Sequence, residues 1–369
     1  MVELVRKIKK AIINFSEQSW DLKTAHLVPS DQKSFLRHKA WKLKWVFKYF
    51  KRKLYMRLIR QHNKELSYIP KAAKAILWVN LSAPSLGDSL MDLSSRQLLR
   101  EYDVDLLTDG KNAQIYQKDP FFNKCFIDPS DLVNRKYDLI ILDSYSPRIL
   151  KIKSRILSEV PFVGLWGFLN GFEVHRTLYS FYRMQFLLQN TDPLPKLQPI
   201  MRRPDFFDAG LCPDKKKIAI VIGAEWDYRR YAKWAEVIDG ILHEHAGAVE
   251  ILLVGSSNGL AESEVISSRF LQCKNFVGTC TLEETSSLID QSDMLVAADG
   301  GLWHIACALN KPSVVLFADT KLFDGNDRRV TRETKDICCE VLYAENSVSQ
   351  IAVGQVLEAF QLLISKIQS

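Results

Sequence analysis

No Cys-x-x-Cys pair occurs in this chain, and its seven cysteines (Cys125, Cys212, Cys273, Cys280, Cys307, Cys338 and Cys339) are odd in number and scattered over 369 residues. That argues against a disulfide framework and against a zinc site built on cysteine pairs, and for a reducing compartment. No stretch reaches the ~18 uninterrupted apolar residues of a membrane span, and the first residues lack the apolar core of a signal peptide. The expectation is a cytoplasmic protein, free or peripheral on a membrane. Low-complexity tracts are missing too, and no repeat is seen beyond an alternation of short apolar runs with amphipathic stretches. Acidic residues are scarce in one place. Residues 1–71 hold 18 Lys and Arg against five Asp and Glu, a net of +13 in a chain whose total is +7, so the remainder carries −6.

What is present suits a globular protein: 47% hydrophobic and 25% charged residues, in a chain long enough for two core-bearing domains. Within the basic segment Leu43, Val46, Phe47, Phe50, Leu54 and Leu58 recur at helical spacing, with Lys44, Lys48, Lys51 and Arg52 off that stripe. A shorter stripe, Leu4, Ile8, Ile12 and Phe15, opens the chain, and Trp20, Trp41, Trp45, Tyr49 and Tyr55 add aromatics of the kind found at membrane interfaces. Two readings stand. One is a helical extension packed on the body with a solvated basic face. The other is docking of residues 1–60 on an anionic membrane surface, where each basic residue contributes ~1 kcal/mol. No recognition motif accompanies the charge, so no nucleic-acid partner is expected.

From residue 74 the texture changes. Strands are predicted at 75–81, 104–107 and 137–142, with helices at 88–100 and 174–188. A proline-rich stretch, Asp192-Pro193-Leu194-Pro195 with Pro199 and Pro204, looks like an interdomain linker. A second series then predicts strands at 218–222, 249–254, 275–277, 294–297 and 314–317, alternating with helices at 231–245, 260–270, 282–290 and 302–309. Alternation of this kind means parallel sheets. The expected fold class is α/β, with two Rossmann-like domains facing a central cleft: a basic helical extension over 1–70, a first domain over 71–200 and a second over 201–369. The last helix, 351–367, is a candidate to cross back to the first domain.

The most informative string is Ala297-Ala298-Asp299-Gly300-Gly301-Leu302-Trp303-His304, followed by Lys311-Pro312 and Ser313-Val314-Val315-Leu316-Phe317. It reads as a buried strand, a carboxylate at its carboxyl end, two glycines, a helix and a second buried strand. Such corners bind ligands in open α/β sheets, and the exposed N–H groups of the new helix favour phosphate. The string resembles the Asp-Ser/Thr-Gly-x-x-His signature of glycosyltransferase family 9, the ADP-heptose heptosyltransferases of the lipopolysaccharide inner core of Gram-negative bacteria. Four further segments resemble that family in order: Ile76-Leu77-Trp78-Val79-Asn80-Leu81-Ser82 with Leu86-Gly87-Asp88; Gly223-Ala224 with Arg229-Arg230-Tyr231; Leu253-Val254-Gly255-Ser256; and Asn275-Phe276-Val277-Gly278-Thr279 with Leu282-Glu283-Glu284. The resemblance covers roughly 75–320 and leaves the basic extension outside.

The resemblance implies the two-domain GT-B architecture and an inverting, metal-independent transfer of heptose from ADP-heptose to an inner-core sugar, with Kdo on lipid A as the expected acceptor and no cofactor. Asp88 matches the family's catalytic base; a helix N-cap is its structural alternative, and Asp92 a weaker competitor. Arg229 stands where the family has a diphosphate-binding lysine, with Arg230 beside it; a solvated Arg-Arg pair is the alternative. Asp299, Gly300, Gly301 and His304 are expected at the donor, as are Gly223 and Glu225, although His304 and the neighbouring Trp226 could equally be packing residues. Arg148, Lys151, His175 and Arg176 are candidates to meet an acidic acceptor sugar. Gly300 replaces the usual Ser or Thr, Arg229 replaces Lys, Tyr231 replaces Trp, and Asn80 stands where an arginine is common. These departures leave open transfer to a protein acceptor and a paralogue that binds nucleotide sugars without turnover.

Overall fold

The computed structural model describes residues 3, 23–26, 28, 39–83, 85–168, 175–245, 247–318 and 338–368. The chain divides into two units: Met1–Pro84 with Met91–Leu197, and Ser85–Leu90 with Gln198–Ser369. The opening stripe, Leu4 to Phe15, lies outside the described residues, as do Trp20 and most of the chain ahead of Lys39.

In the first unit, short apolar runs form β1 (Ala75–Asn80), β2 (Asp103–Thr108), β3 (Cys125–Phe126), β4 (Leu139–Leu142) and β5 (Phe162–Gly164). All pairings are parallel, in the order β3-β2-β1-β4-β5, and Ile76 lies opposite both Val104 and Leu139. Every residue of β4 is buried, which is why it reads as an unbroken apolar run rather than an alternating one. The unit's helices are α1 (Lys39–Leu58), α3 (Gly110–Tyr116), α4 (Pro147–Ile156) and α5 (Arg176–Leu188), while α2 (Leu86–Asp92) begins in the Ser85–Leu90 segment of the second unit and ends in the first. The predicted helix over 88–100 breaks after Asp92. Ser94 Oγ donates to the Met91 carbonyl at 2.5 Å, and Arg96 turns inward to a buried pair with Asp119 at 2.7 Å, so the chain continues as 3-10 turns over Ser94–Leu99.

The described part of the basic extension is built into this unit. Tyr49 and Met56 of α1 are buried in one cluster with Leu77, Leu142 and Ile149, each contributing about 1.5–3 kcal/mol. Past α1, Leu66 N–H donates to the Phe162 carbonyl at 2.8 Å, which ties the extension to β5.

The second unit holds β6 (Lys216–Val221), β7 (Val249–Val254), β8 (Cys273–Asn275), β9 (Met294–Ala298), β10 (Ser313–Ala318) and β11 (Cys339–Ala344). They are parallel throughout, in the order β11-β10-β9-β6-β7-β8. Its helices are α6 (Trp234–Glu244), α7 (Leu260–Arg269), α8 (Leu282–Gln291), α9 (Gly301–Ala308) and α10 (Val353–Gln368). β8 lies two residues earlier than predicted, because Asn275 Oδ1 accepts from Val277 N–H and Gly278 turns at φ 70°, ending the strand before the apolar Phe276-Val277. α10, the candidate to cross back, buries Val356, Ala359, Phe360 and Leu363 in one core with Trp234, Ile238 and Ile241 of α6. Its apolar face is therefore used within the second unit. In both sheets the first strand in sequence is central and the order reverses beside it, at β1/β4 and at β6/β9.

Candidate functional site

Ligands of open parallel sheets bind outside the carboxyl ends of the strands where the order reverses. In the second unit that point is β6/β9, and the segments leaving it hold Gly223, Glu225, Arg229 and Arg230 after β6, and Asp299, Gly300, Gly301 and His304 after β9. Gly223 has φ 85°, and a Cβ there would lie 2.6 Å from Asn258 Oδ1 and 2.9 Å from Gly259 Cα, so glycine alone fits the turn. A single 3-10 turn over Asp227–Arg229 then carries Arg229 to Asp299. Arg229 Nη2 lies 3.1 Å from Asp299 Oδ2, and Nη1 donates to the Asp299 carbonyl at 3.4 Å. Arg229 Nε is buried without a hydrogen-bond partner. Asp299 is itself buried, and its Oδ1 is 3.9 Å from His304 Nε2. One carboxylate thus faces a guanidinium and an imidazole at the start of α9, whose first N–H groups have no partner inside the helix.

His304 is buried, tilted against Trp303 at 4.8 Å, and packed on Gly87, where a Cβ would lie 2.2 Å from His304 Cδ2. That close approach sets the start of α2 against the corner, with Asp88 next in sequence. Ser85 takes the capping position expected of Asp88: its Oγ accepts from Asp88 N–H at 3.3 Å and donates to Asp88 Oδ2 at 2.8 Å. Asp88 therefore sits in the first turn of α2, where its charge is favoured by the helix N-terminus.

Other residues lie apart from this group. Arg230 is exposed and faces Glu262, whose carboxyl burial pushes up and Arg230 draws back down. Glu225 is exposed, and Trp226, at 55% exposure, is not a core residue. Tyr231 is: its hydroxyl donates to the Ile351 carbonyl at 3.2 Å and its ring meets Trp234 edge-on at 4.8 Å. Its replacement of a tryptophan is thus a packing change. In the first unit, Arg148 and Lys151 are exposed on α4. His175 is buried as the N-cap of α5, its Nδ1 accepting from Leu178 N–H at 3.3 Å. Arg176 grips Asp92 through Nε to Oδ1 at 3.0 Å and Nη2 to Oδ2 at 2.5 Å, and lies 4.7 Å from the Trp166 ring. Both residues are committed to local structure, and the same pair occupies Asp92 as an alternative base.

Sequence reading missed the reversal point of the first unit. There Asp143, after β4, accepts from the N–H groups of Ser82 and Ser144, the second at 2.6 Å, while the two serine hydroxyls lie 2.7 Å apart. Burial pushes the Asp143 carboxyl up to about 7, the Asp92 charge adds to this, and the backbone donors oppose it. Arg52 of α1 is also buried: desolvation lowers its pKa, the Asp143 charge opposes that, and its Nε and Nη1 have no hydrogen-bond partner. The signal was available, since Asp143 follows an apolar strand as Asp299 does. Among the described residues, no group of three or more His, Cys, Asp or Glu side chains is placed to hold a metal ion.

Residues 184–326 match the family model described as glycosyltransferase family 9 (heptosyltransferase). The chain is 32% identical over 100 residues to lipooligosaccharide heptosyltransferase 2 of Haemophilus influenzae, a match covering 26% of this chain and only 27% of that curated relative. Among solved structures it resembles the ADP-heptose lipopolysaccharide heptosyltransferase II of E. coli, with TM-score 0.61 and 18% identity over 80% of this chain and 100% of that one. It also resembles a family 9 glycosyltransferase from Veillonella parvula, with TM-score 0.62 and 14% identity over 81% and 99%. At these identities the structural likeness establishes the shared fold.

Proposed function

We propose that this chain, whose residues 184–326 belong to glycosyltransferase family 9, is an inverting glycosyltransferase that moves heptose from ADP-heptose to an inner-core sugar of lipopolysaccharide or lipooligosaccharide, with Kdo on lipid A as the acceptor. The observation that carries the reading is the joining of Arg229, Asp299 and His304 at the β6/β9 reversal point, packed against Gly87 and followed by Asp88.

In the proposed reaction an acceptor hydroxyl oxygen attacks the anomeric carbon as the bond from that carbon to the diphosphate oxygen breaks. The bonding pair leaves with ADP, and the hydroxyl proton passes to the Asp88 carboxylate. Attack opposite the leaving group inverts the anomeric centre. Negative charge grows on the departing diphosphate, where Arg229 and the N–H groups opening α9 are fixed in advance, so little reorganisation is needed as the bond breaks. Asp299 holds the guanidinium through two contacts, and this orients it. The basic extension is proposed to keep the enzyme on the cytoplasmic face of the inner membrane, near its lipid acceptor. Core oligosaccharide from a strain lacking this gene is expected to end one heptose early by mass spectrometry; an unchanged core overturns the reading.

The family's Ser or Thr beside the corner aspartate is Gly300 here. Its backbone is extended at φ 176°, and a Cβ would meet only the Ala298 carbonyl, at 3.8 Å, so a serine fits without strain. Gly300→Ser is expected to change stability by no more than about 0.5 kcal/mol. ADP affinity is expected to rise up to about tenfold, the contribution of one added hydrogen bond. Thermal unfolding and ADP calorimetry check both; weaker ADP binding contradicts the placement of the diphosphate.

A further inference from the structure

Part of the apolar stripe of α1 faces away from the core: Phe50 packs against it, whereas Phe47, Leu54 and Leu58 do not. At about 100° per residue, Phe47, Leu54 and Leu58 fall within about 40° of one another, opposite Tyr49 and Met56. Tyr49 and Met56 are buried in the first unit's core, at 1% and 2% exposure, so the rotation of the helix is fixed. Phe47, Leu54 and Leu58 are thereby turned outward, at 71%, 60% and 71% exposure. Lys48 and Lys51 flank that arc on one side and Arg57 on the other, all three exposed. No acidic residue occurs from Lys39 to Leu58.

We infer that this outward face of α1 is the element that docks on an anionic phospholipid surface, with Phe47, Leu54 and Leu58 entering the boundary between headgroups and acyl chains and Lys48, Lys51 and Arg57 meeting the phosphates. Three large apolar side chains along about 16 Å of helix, with cations on both sides, are the composition of a helix that lies in a membrane interface. A purely solvated helix gains nothing from that stripe, and the absence of acidic groups removes the repulsion an anionic surface would exert. Charge complementarity favours lipid over a second copy of the chain, because two such faces would bring six cations together. The inference deepens the proposed function, since a lipid acceptor lies in such a surface, and rests on that reading for its purpose but not for its geometry.

The test uses full-length protein and flotation with vesicles of phosphatidylethanolamine and phosphatidylglycerol, with phosphatidylcholine vesicles as the neutral arm. Wild type is expected to bind the anionic vesicles and to bind the neutral ones weakly. The triple variant Phe47→Ser, Leu54→Ser, Leu58→Ser is expected to lose about tenfold or more in binding. The variant Lys48→Gln, Lys51→Gln, Arg57→Gln is expected to lose roughly fivefold for each charge removed at low salt, and most of its salt dependence. All six side chains are exposed, and both variants are expected to keep wild-type unfolding temperature and ADP binding. Equal flotation of the apolar variant and wild type overturns the inference, as does a variant that changes oligomeric mass while flotation stays the same. Absent ADP binding with intact vesicle binding sinks the transferase reading alone.

Discussion

Asp88→Asn is expected to lower turnover by about 10²–10⁴-fold, the contribution of a positioned general base, while ADP affinity stays within about twofold. Asparagine keeps the shape of the side chain. Its Oδ1 can still accept from Ser85 Oγ, and the Asp88 N–H still donates to that hydroxyl, so the first turn of α2 keeps its cap. The structural cost is the loss of one negative charge at a helix N-terminus, about 0.3–1 kcal/mol, which is visible in unfolding temperature but too small to empty the folded state. A lower kcat with an unchanged acceptor KM marks a group that acts in the transition state; a raised KM with normal kcat would return Asp88 to a binding role. Wild-type turnover in the asparagine variant removes it from the chemistry.

Arg229→Ala is expected to weaken ADP binding by about 10- to 100-fold and to lower turnover by about 10²–10³-fold, because charge on the leaving diphosphate peaks in the transition state. A second consequence follows from the pair it makes. Asp299 is buried and would lose its closest cation, leaving an uncompensated carboxylate at the proposed diphosphate site. Arg229→Lys separates the two effects. A lysine restores one point charge but gathers its donors on a single nitrogen and lacks the planar fork whose separate Nη1 and Nη2 reach the Asp299 carbonyl and carboxylate, so partial recovery of ADP affinity with incomplete recovery of turnover is expected. Calorimetry with ADP and steady-state kinetics distinguish the variants. Full activity in the alanine variant contradicts the role.

Much of the second unit was legible because its strands are buried on both faces and bounded by turns; the 249–254 run became β7 without adjustment. The misses have local causes. α4 was unseen although Ser146-Pro147, a cap followed by a first-turn proline, announces it; the apolar residues after it are interrupted by Lys151 and by Lys153, which is buried on the Phe162 ring. Burial moves residues between roles that spacing cannot separate. His175 and Arg176 are basic by type, yet one caps α5 and the other neutralises Asp92, so neither resembles Arg148 or Lys151 in what it offers a ligand. Trp226 and Tyr231 flank the same turn, and only contact with the core distinguishes the exposed indole from the buried phenol. On α1 the periodicity gave the helix but left its facing open, because hydrophobic spacing gives a direction around a helix without saying what lies on that side; in the structure Phe50 packs inward while Phe47, Leu54 and Leu58 are exposed.

The most direct measurement gives the purified full-length chain ADP-heptose and a Kdo-bearing lipid A acceptor, and follows ADP release alongside the mass of the acceptor. The account predicts one heptosyl residue added for each ADP released, with both lost together in Asp88→Asn. ADP that binds by calorimetry while the acceptor mass never changes would contradict it, and would leave the β6/β9 corner as a nucleotide site without transfer.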